Sequence, residues 1–144
     1  MNMIPDIQCS LLCDDVRQER NGKFILIGLF ESIGSVQWPV RYPSLAVFTR
    51  WCGGEGEYTH ESRLVAPDGV GVVMKGQAVP VRLKDPGAAA TVVEVFRGVE
   101  LKTPGDYSVE ILLDGDLKLR YPLHAVRIQP PAGGGAAGRG GEGA

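Results

Sequence analysis

Five side chains in this sequence are soft metal ligands: Cys9, Cys13, Cys52, His60 and His124. Zinc would need four of them converging to within about 2.0 to 2.3 Å of one point. Cys9 and Cys13 stand four residues apart on a stretch that reads as a strand, so their Cα atoms are about 13 Å apart. That is too far for one metal or one disulfide. The thiols read instead as small buried hydrophobes, and no metal and no cofactor is expected.

Nucleophilic catalysis would need Ser10, Ser32, Ser62 or a cysteine beside a histidine base that a carboxylate orients. Only His60 and His124 are available. Neither lies in a catalytic signature, and His124, after Tyr121-Pro122-Leu123, reads as a strand residue. Asp14, Asp15, Asp68, Asp114 and Asp116 could bind calcium if three of their loops met, because calcium takes six to eight oxygens. Asp68-Gly69 and Asp114-Gly115 are already accounted for as turns. The glycines from Gly133 to Gly143 lack the preceding strand and following helix of a phosphate cradle. One Arg139-Gly140-Gly141 triplet is a slight hint of RNA contact, outweighed by a flexible terminus. The chain is therefore expected not to be an enzyme. Four aromatics in the middle of the sequence, Trp38, Tyr42, Trp51 and Tyr58, are the candidate interface residues, with Trp38 beside Pro39 the best placed for an exposed anchor.

The elements that must position these groups follow from pattern. Asn21-Gly22-Lys23 opens onto Phe24-Ile25-Leu26-Ile27-Gly28-Leu29-Phe30, seven residues without a charge. β-Favouring types and the interruption at Gly28 make this a strand rather than a helix. A strand apolar on both faces is expected to be central, sandwiched between layers, or to carry one face for a partner.

Other strands surround it. Ile7 to Cys13 places Ile7, Cys9, Leu11 and Cys13 on one face, expected to be the core face. Asp14 to Arg20 reads as a charged connection. Glu31 to Pro43 is an irregular crossing. Leu45–Trp51, Tyr58–Ala66 and a bent Val70–Val81 segment with glycines at 71 and 76 follow. Thr91–Phe96 continues toward Leu101. Tyr107–Leu113, the cleanest alternation in the chain, is joined through Asp114-Gly115 to Leu117–Tyr121, and Leu123–Ile128 completes the set.

With 144 residues, 44% hydrophobic content and turn signals roughly every ten positions, the expected architecture is one all-β domain over 1–129. It is expected to be an immunoglobulin-like β-sandwich of about seven to nine mostly antiparallel strands, followed by a disordered Gly/Ala-rich tail over 130–144. A net charge of -2 argues against a polyanion partner. The first residues resemble no export signal, no run approaches the roughly 20 apolar residues of a membrane helix, and three cysteines fit a reducing compartment. A cytoplasmic location without membrane contact is expected.

Leu12-Cys13-Asp14, Asn21-Gly22-Lys23, Ile27-Gly28-Leu29-Phe30, Trp38-Pro39 and Pro67-Asp68-Gly69 together resemble the successive signatures of a bacterial single-domain family of unknown function. The resemblance spans about residues 5 to 128, the whole expected fold. It implies a β-sandwich and carries no catalytic or binding residues over.

The functional expectation is a non-enzymatic interaction or assembly module that meets a protein partner or a second copy of itself, with no nucleic acid. Its rival is a small-ligand or metal-ion binding domain, or an enzyme, using Asp14, Asp15, His60 and Asp114 at one end of the sandwich. The rival requires those side chains to converge on a concave pocket.

Overall fold

Residues 3–130 are described by a computed structural model; residues 1–2 and, from 131 on, the expected tail lie outside the described residues. Among the described residues ten strands form: β1 (Asp6–Gln18), β2 (Phe24–Leu29), β3 (Ser32–Ser35), β4 (Val40–Cys52), β5 (Gly56–Val65), β6 (Val72–Lys75), β7 (Val79–Leu83), β8 (Ala89–Leu101), β9 (Gly105–Leu113) and β10 (Asp116–Arg127). They make a four-stranded sheet in the order β2-β1-β4-β8 and a six-stranded sheet in the order β3-β10-β9-β5-β6, with β7 also on β5. The all-β class and the two layers are as expected. The count of ten exceeds the expected seven to nine.

The extra strands have local causes. Part of the supposed crossing, Ser32–Ser35, pairs in parallel with His124–Arg127 and becomes β3. The bent segment over 70–81 is two strands on successive parts of β5, with Gly76 at the break. β6 and β7 also lie against β8, the edge of the first sheet, so the second sheet curls. β10 runs through Pro122 unbroken. Pairing with β3 begins only at His124, so Pro122 has one unoccupied flank where a missing N–H is tolerated.

The core lies between the sheets. Leu12, Leu45, Val47, Trp51 and Val92 from the first sheet meet Leu64, Tyr107, Val109, Ile111, Leu113 and Leu123 from the second. The alternation read from Tyr107 to Leu113 is the buried face of β9. Burying each of its large aliphatic side chains contributes about 1.5 to 3 kcal/mol relative to exposure.

β1 differs from expectation twice. The strand does not end at Cys13 but runs on through Asp14-Asp15-Val16-Arg17, because those residues pair with β2. Its inward residue is Leu12 rather than Leu11, which is 38% exposed; a register shift between Ile7 and Cys9 resets the alternation. Cys13, Ala46 and Phe48, on the opposite face, are buried all the same. What covers them is the β1–β2 hairpin.

Phe24 pairs with Gln18, and Phe48 pairs with Leu11. Seven residues of straight strand separate those partners by roughly 23 Å, yet the two phenyl rings meet edge to face with centroids 5.5 Å apart. β1 therefore bends beyond Cys13 and lays the hairpin across the outer face of the first sheet. Phe24 and Leu26 turn toward the sheet, and Ile25, Ile27 and Leu29 turn away. The uncharged strand is thus the edge of its sheet, not its centre.

Candidate functional site

Four polar side chains are gathered between the sheets. The Trp51 indole Nε1–H donates to His60 Nδ1 at 3.0 Å, His60 Nε2 meets Glu94 Oε1 at 2.9 Å, and the Ser62 hydroxyl donates to the same oxygen at 2.6 Å. An indole N–H only donates, so His60 Nδ1 is the acceptor and the ring proton sits on Nε2. The carboxylate consequently stands between serine and imidazole. A triad needs the imidazole to take the serine proton; here the basic nitrogen is filled by Trp51 and the hydroxyl points at Glu94. The arrangement ties β4 and β8 of one sheet to β5 of the other. Among the described residues Glu94 Oε2 is buried without a hydrogen-bond partner, and Gly76 lies against it, where any side chain would fall on that oxygen.

A second interior link runs from Ser10, whose hydroxyl lies 3.1 Å from Thr49 Oγ1 and 2.9 Å from Tyr121 Oη. Burial pushes the Tyr121 phenol up to about 12. On the outer face of the second sheet, Glu110 sits in one cross-strand row between Arg63 at 2.7 Å and Arg120 at 2.9 and 2.7 Å. Burial alone would raise this carboxyl, but the two guanidinium partners outweigh it and hold it below the usual carboxylate range.

The other sequence candidates are dispersed. Asp14 accepts from the Tyr42 hydroxyl at 2.6 Å, Asp15 pairs with Arg17, Asp68 accepts the N–H groups of Val70 and Gly71 in its own turn, and Asp114 accepts from the Thr59 N–H. His124 faces Asp106 on the surface at 2.8 Å. Among the described residues no group of three or more His, Cys, Asp or Glu side chains could hold a metal ion. Burial raises the Cys13 thiol. Asp14, Asp15, His60 and Asp114 line neither of two well-formed cavities among the described residues. The larger, about 720 Å³, lies between β6 and the end of β8 and is lined by Val72, Met74, Phe96, Val99 and Lys102 among others.

The four aromatics do not form one surface. Trp51 is fully buried, so it is an interior residue rather than an interface anchor. Trp38 is half-buried against the core, with its indole N–H donated to Ser35 O at 3.0 Å. Tyr42 packs on Phe30, and the single Tyr58 hydroxyl proton lies within reach of two carbonyl oxygens, Glu55 O at 2.7 Å and Met3 O at 2.9 Å. Trp38 and Tyr42 flank the start of β4 and Trp51 lies at its end, about 30 Å away along a strand.

The exposed apolar surface lies elsewhere. Ile25, Ile27 and Leu29 are 41%, 42% and 57% exposed in a row along β2, whose second edge is unpaired among the described residues. No Lys, Pro or other charge interrupts the strand from Phe24 to Leu29, although natural edges are commonly guarded in that way. The sequence signal was the uncharged run itself. Pattern alone left open whether the strand is central, sandwiched between layers or carries one face for a partner; the structure leaves one of its two apolar faces exposed.

The sequence profile of a family of unknown function, DUF6941, matches residues 8–126. The chain belongs to this family. The DUF6941 assignment agrees with the resemblance carried by the turn and core residues. No curated protein matches the chain. Among solved structures, the fold resembles that of the Pseudomonas fluorescens alkylpurine DNA glycosylase AlkC bound to DNA containing an abasic site analog. The TM-score is 0.52 at 10% identity, over 86% of this chain and 30% of that one. The chain thus spans under a third of the glycosylase's length, and the likeness is one of fold.

That likeness corrects one expectation. Nucleic acid was set aside because the net charge is near zero, yet a fold of this kind occurs in a protein solved on DNA. Net charge is a sum and does not locate the 15 basic residues. Among the described residues no helix is long and apolar enough to cross a membrane.

Proposed function

We propose that this DUF6941 chain is a non-enzymatic interaction module that docks its partner on β2. The single observation carrying this is the exposed row Ile25, Ile27 and Leu29 on an unguarded sheet edge. Such an edge offers unpaired backbone groups to an incoming strand, and the apolar row adds side-chain burial on one face. The polar clusters support a structural role, since His60 has its acceptor nitrogen occupied by Trp51 and Ser62 is bonded to Glu94.

The finer fold, an immunoglobulin-like sandwich, is supported by Tyr107, whose hydroxyl donates to Thr103 O at 2.7 Å, four residues upstream, as in a tyrosine corner. The three free cysteines support a reducing, cytoplasmic setting.

A second function, contact with nucleic acid, is favoured by the fold likeness to a DNA-bound glycosylase. One experiment separates the two. The full chain and its Ile27→Lys variant are compared for retention of partners from the native cell and for binding a labelled DNA duplex. Partner retention that Ile27→Lys abolishes is the expected result. Duplex binding that Ile27→Lys leaves unchanged, with no retention dependent on β2, would move the function to nucleic acid.

A further inference from the structure

We propose that the outer face of the second sheet binds the phosphates of a DNA duplex through a row of three cations, Lys75, Arg63 and Arg120. This rests on the second reading above, contact with nucleic acid, and goes on to name the surface that makes it. β2 is the edge of the other sheet, so docking there and this contact are independent.

The strand registers build the row. Lys75 of β6 is opposite Arg63 of β5, Arg63 is opposite Glu110 of β9, and Glu110 is opposite Arg120 of β10. Directly opposite residues share a face. The residues alternating with them, Leu64 and Ile111 among others, belong to the core, so the row faces outward. With strands about 4.8 Å apart, its four members spread over about 14 Å.

Glu110 holds the row in place. Its carboxylate is almost wholly buried and accepts Arg63 Nε on one oxygen and Arg120 Nε and Nη2 on the other. Both arginine side chains stay partly exposed around it. Among the described residues, the η nitrogens of Arg63 and Nη1 of Arg120 have no acceptor, and Lys75 belongs to no ion pair. Guanidinium forks match phosphate oxygens in geometry, and forks already fixed lose less freedom on binding.

The surrounding charges do not cancel the row. Glu61 of β5 and Lys118 at the β10 bulge carry opposite signs. Farther along the face, Glu57 is paired with Arg82 and Asp106 with His124. Three cations less one carboxylate leave a local excess of two positive charges on a chain whose net charge is -2. A patch of this kind attracts a line of anions whatever the sign of the total. No Phe, Tyr or Trp stands at an outward position of β5, β6, β9 or β10. Bases therefore have nothing to stack on, which favours the backbone of a duplex over a single strand.

The test is fluorescence anisotropy with a labelled DNA duplex over a salt series from about 50 to 200 mM. It compares the full chain with Lys75→Gln, Arg63→Gln, Arg120→Gln and, as a control on the β1–β2 hairpin, Lys23→Gln. Thermal melts verify that each variant folds. Three phosphate contacts give a slope of log affinity on log salt of about -2.7, so the wild-type affinity should fall roughly fortyfold across the series. Each variant in the row should bind more weakly and fall only about twelvefold, having lost one contact. Lys23→Gln should match wild type.

Duplex binding with the same salt slope in wild type and all three row variants overturns the inference and leaves contact with nucleic acid standing on another surface. A slope that Lys23→Gln lowers as much as the row variants do marks diffuse attraction and also overturns it. No duplex binding even at about 50 mM salt overturns both the inference and the nucleic-acid reading.

Discussion

The indole N–H of Trp51 points at Nδ1 of His60 across 3.0 Å of the sandwich interior. With both side chains fully buried, that one donor fixes the imidazole as the neutral Nε2–H form and aims its remaining proton at Glu94.

The tautomer is directly measurable. Nitrogen NMR of the folded chain should show His60 protonated on Nε2 and bare on Nδ1. Trp51→Phe should remove the donor and part of the packing, costing about 2 to 4 kcal/mol by denaturant unfolding. A spectrum with the proton on Nδ1 would overturn the bonding order Trp51, His60, Glu94.

Gly76 is required by Glu94 rather than by a turn. Gly76 N–H donates to Ser62 O at 2.9 Å, holding its Cα where a side chain would fall on Glu94 Oε2. Gly76→Ala should destabilise the fold by roughly 1 to 3 kcal/mol, because the carboxylate or the β6–β7 break has to move. An unchanged unfolding midpoint would show that the site relaxes freely.

Glu110 should make stability depend on acid. Its folded carboxyl titrates below the ordinary value because Arg63 and Arg120 outweigh the effect of burial. The folded state then binds fewer protons than the unfolded one, so the stabilisation is present above the unfolded value near 4.5 and fades as pH falls through the folded one. Glu110→Gln should be roughly 1 to 3 kcal/mol less stable than wild type at neutral pH, with the gap narrowing below pH about 4. A gap independent of pH would refute the assignment.

Two phenols should resist alkali. Burial, with a hydrogen bond to the Asp14 carboxylate, pushes Tyr42 up to about 12, and burial does the same for Tyr121. In the unfolded chain both ionise near 10, so the folded state holds more protons between the two values and stability falls as pH rises through that window. Ultraviolet titration should show a late step near pH 12 that is reduced by Tyr121→Phe or Tyr42→Phe. A single step near 10 with the fold intact would exclude it.

Much of the architecture was written locally. The alternation from Tyr107 to Leu113 named the buried face of β9, and Asp114-Gly115 named the turn into β10, with both residues at positive φ. Those features depend on near neighbours, since a two-residue period and a backbone that tolerates positive φ are properties of the segment itself. The turn and core residues were also enough to point to a family.

Only the tertiary structure decided what covers each face. The charges at 14 to 17 read as a loop because pattern cannot show that β2 pairs with them, and an unbroken two-residue period puts Leu11 on the core face because it cannot show the register shift that turns Leu12 inward instead. Trp51, His60 and Glu94 lie 9 and 34 positions apart and meet only when the sheets stack. The uncharged strand 24 to 29 was legible as a strand, but whether both of its apolar faces would be buried depended on the bend beyond Cys13 that lays Phe24 on Phe48. Periodicity reports which side chains share a face; the long-range path of the backbone determines which face meets water.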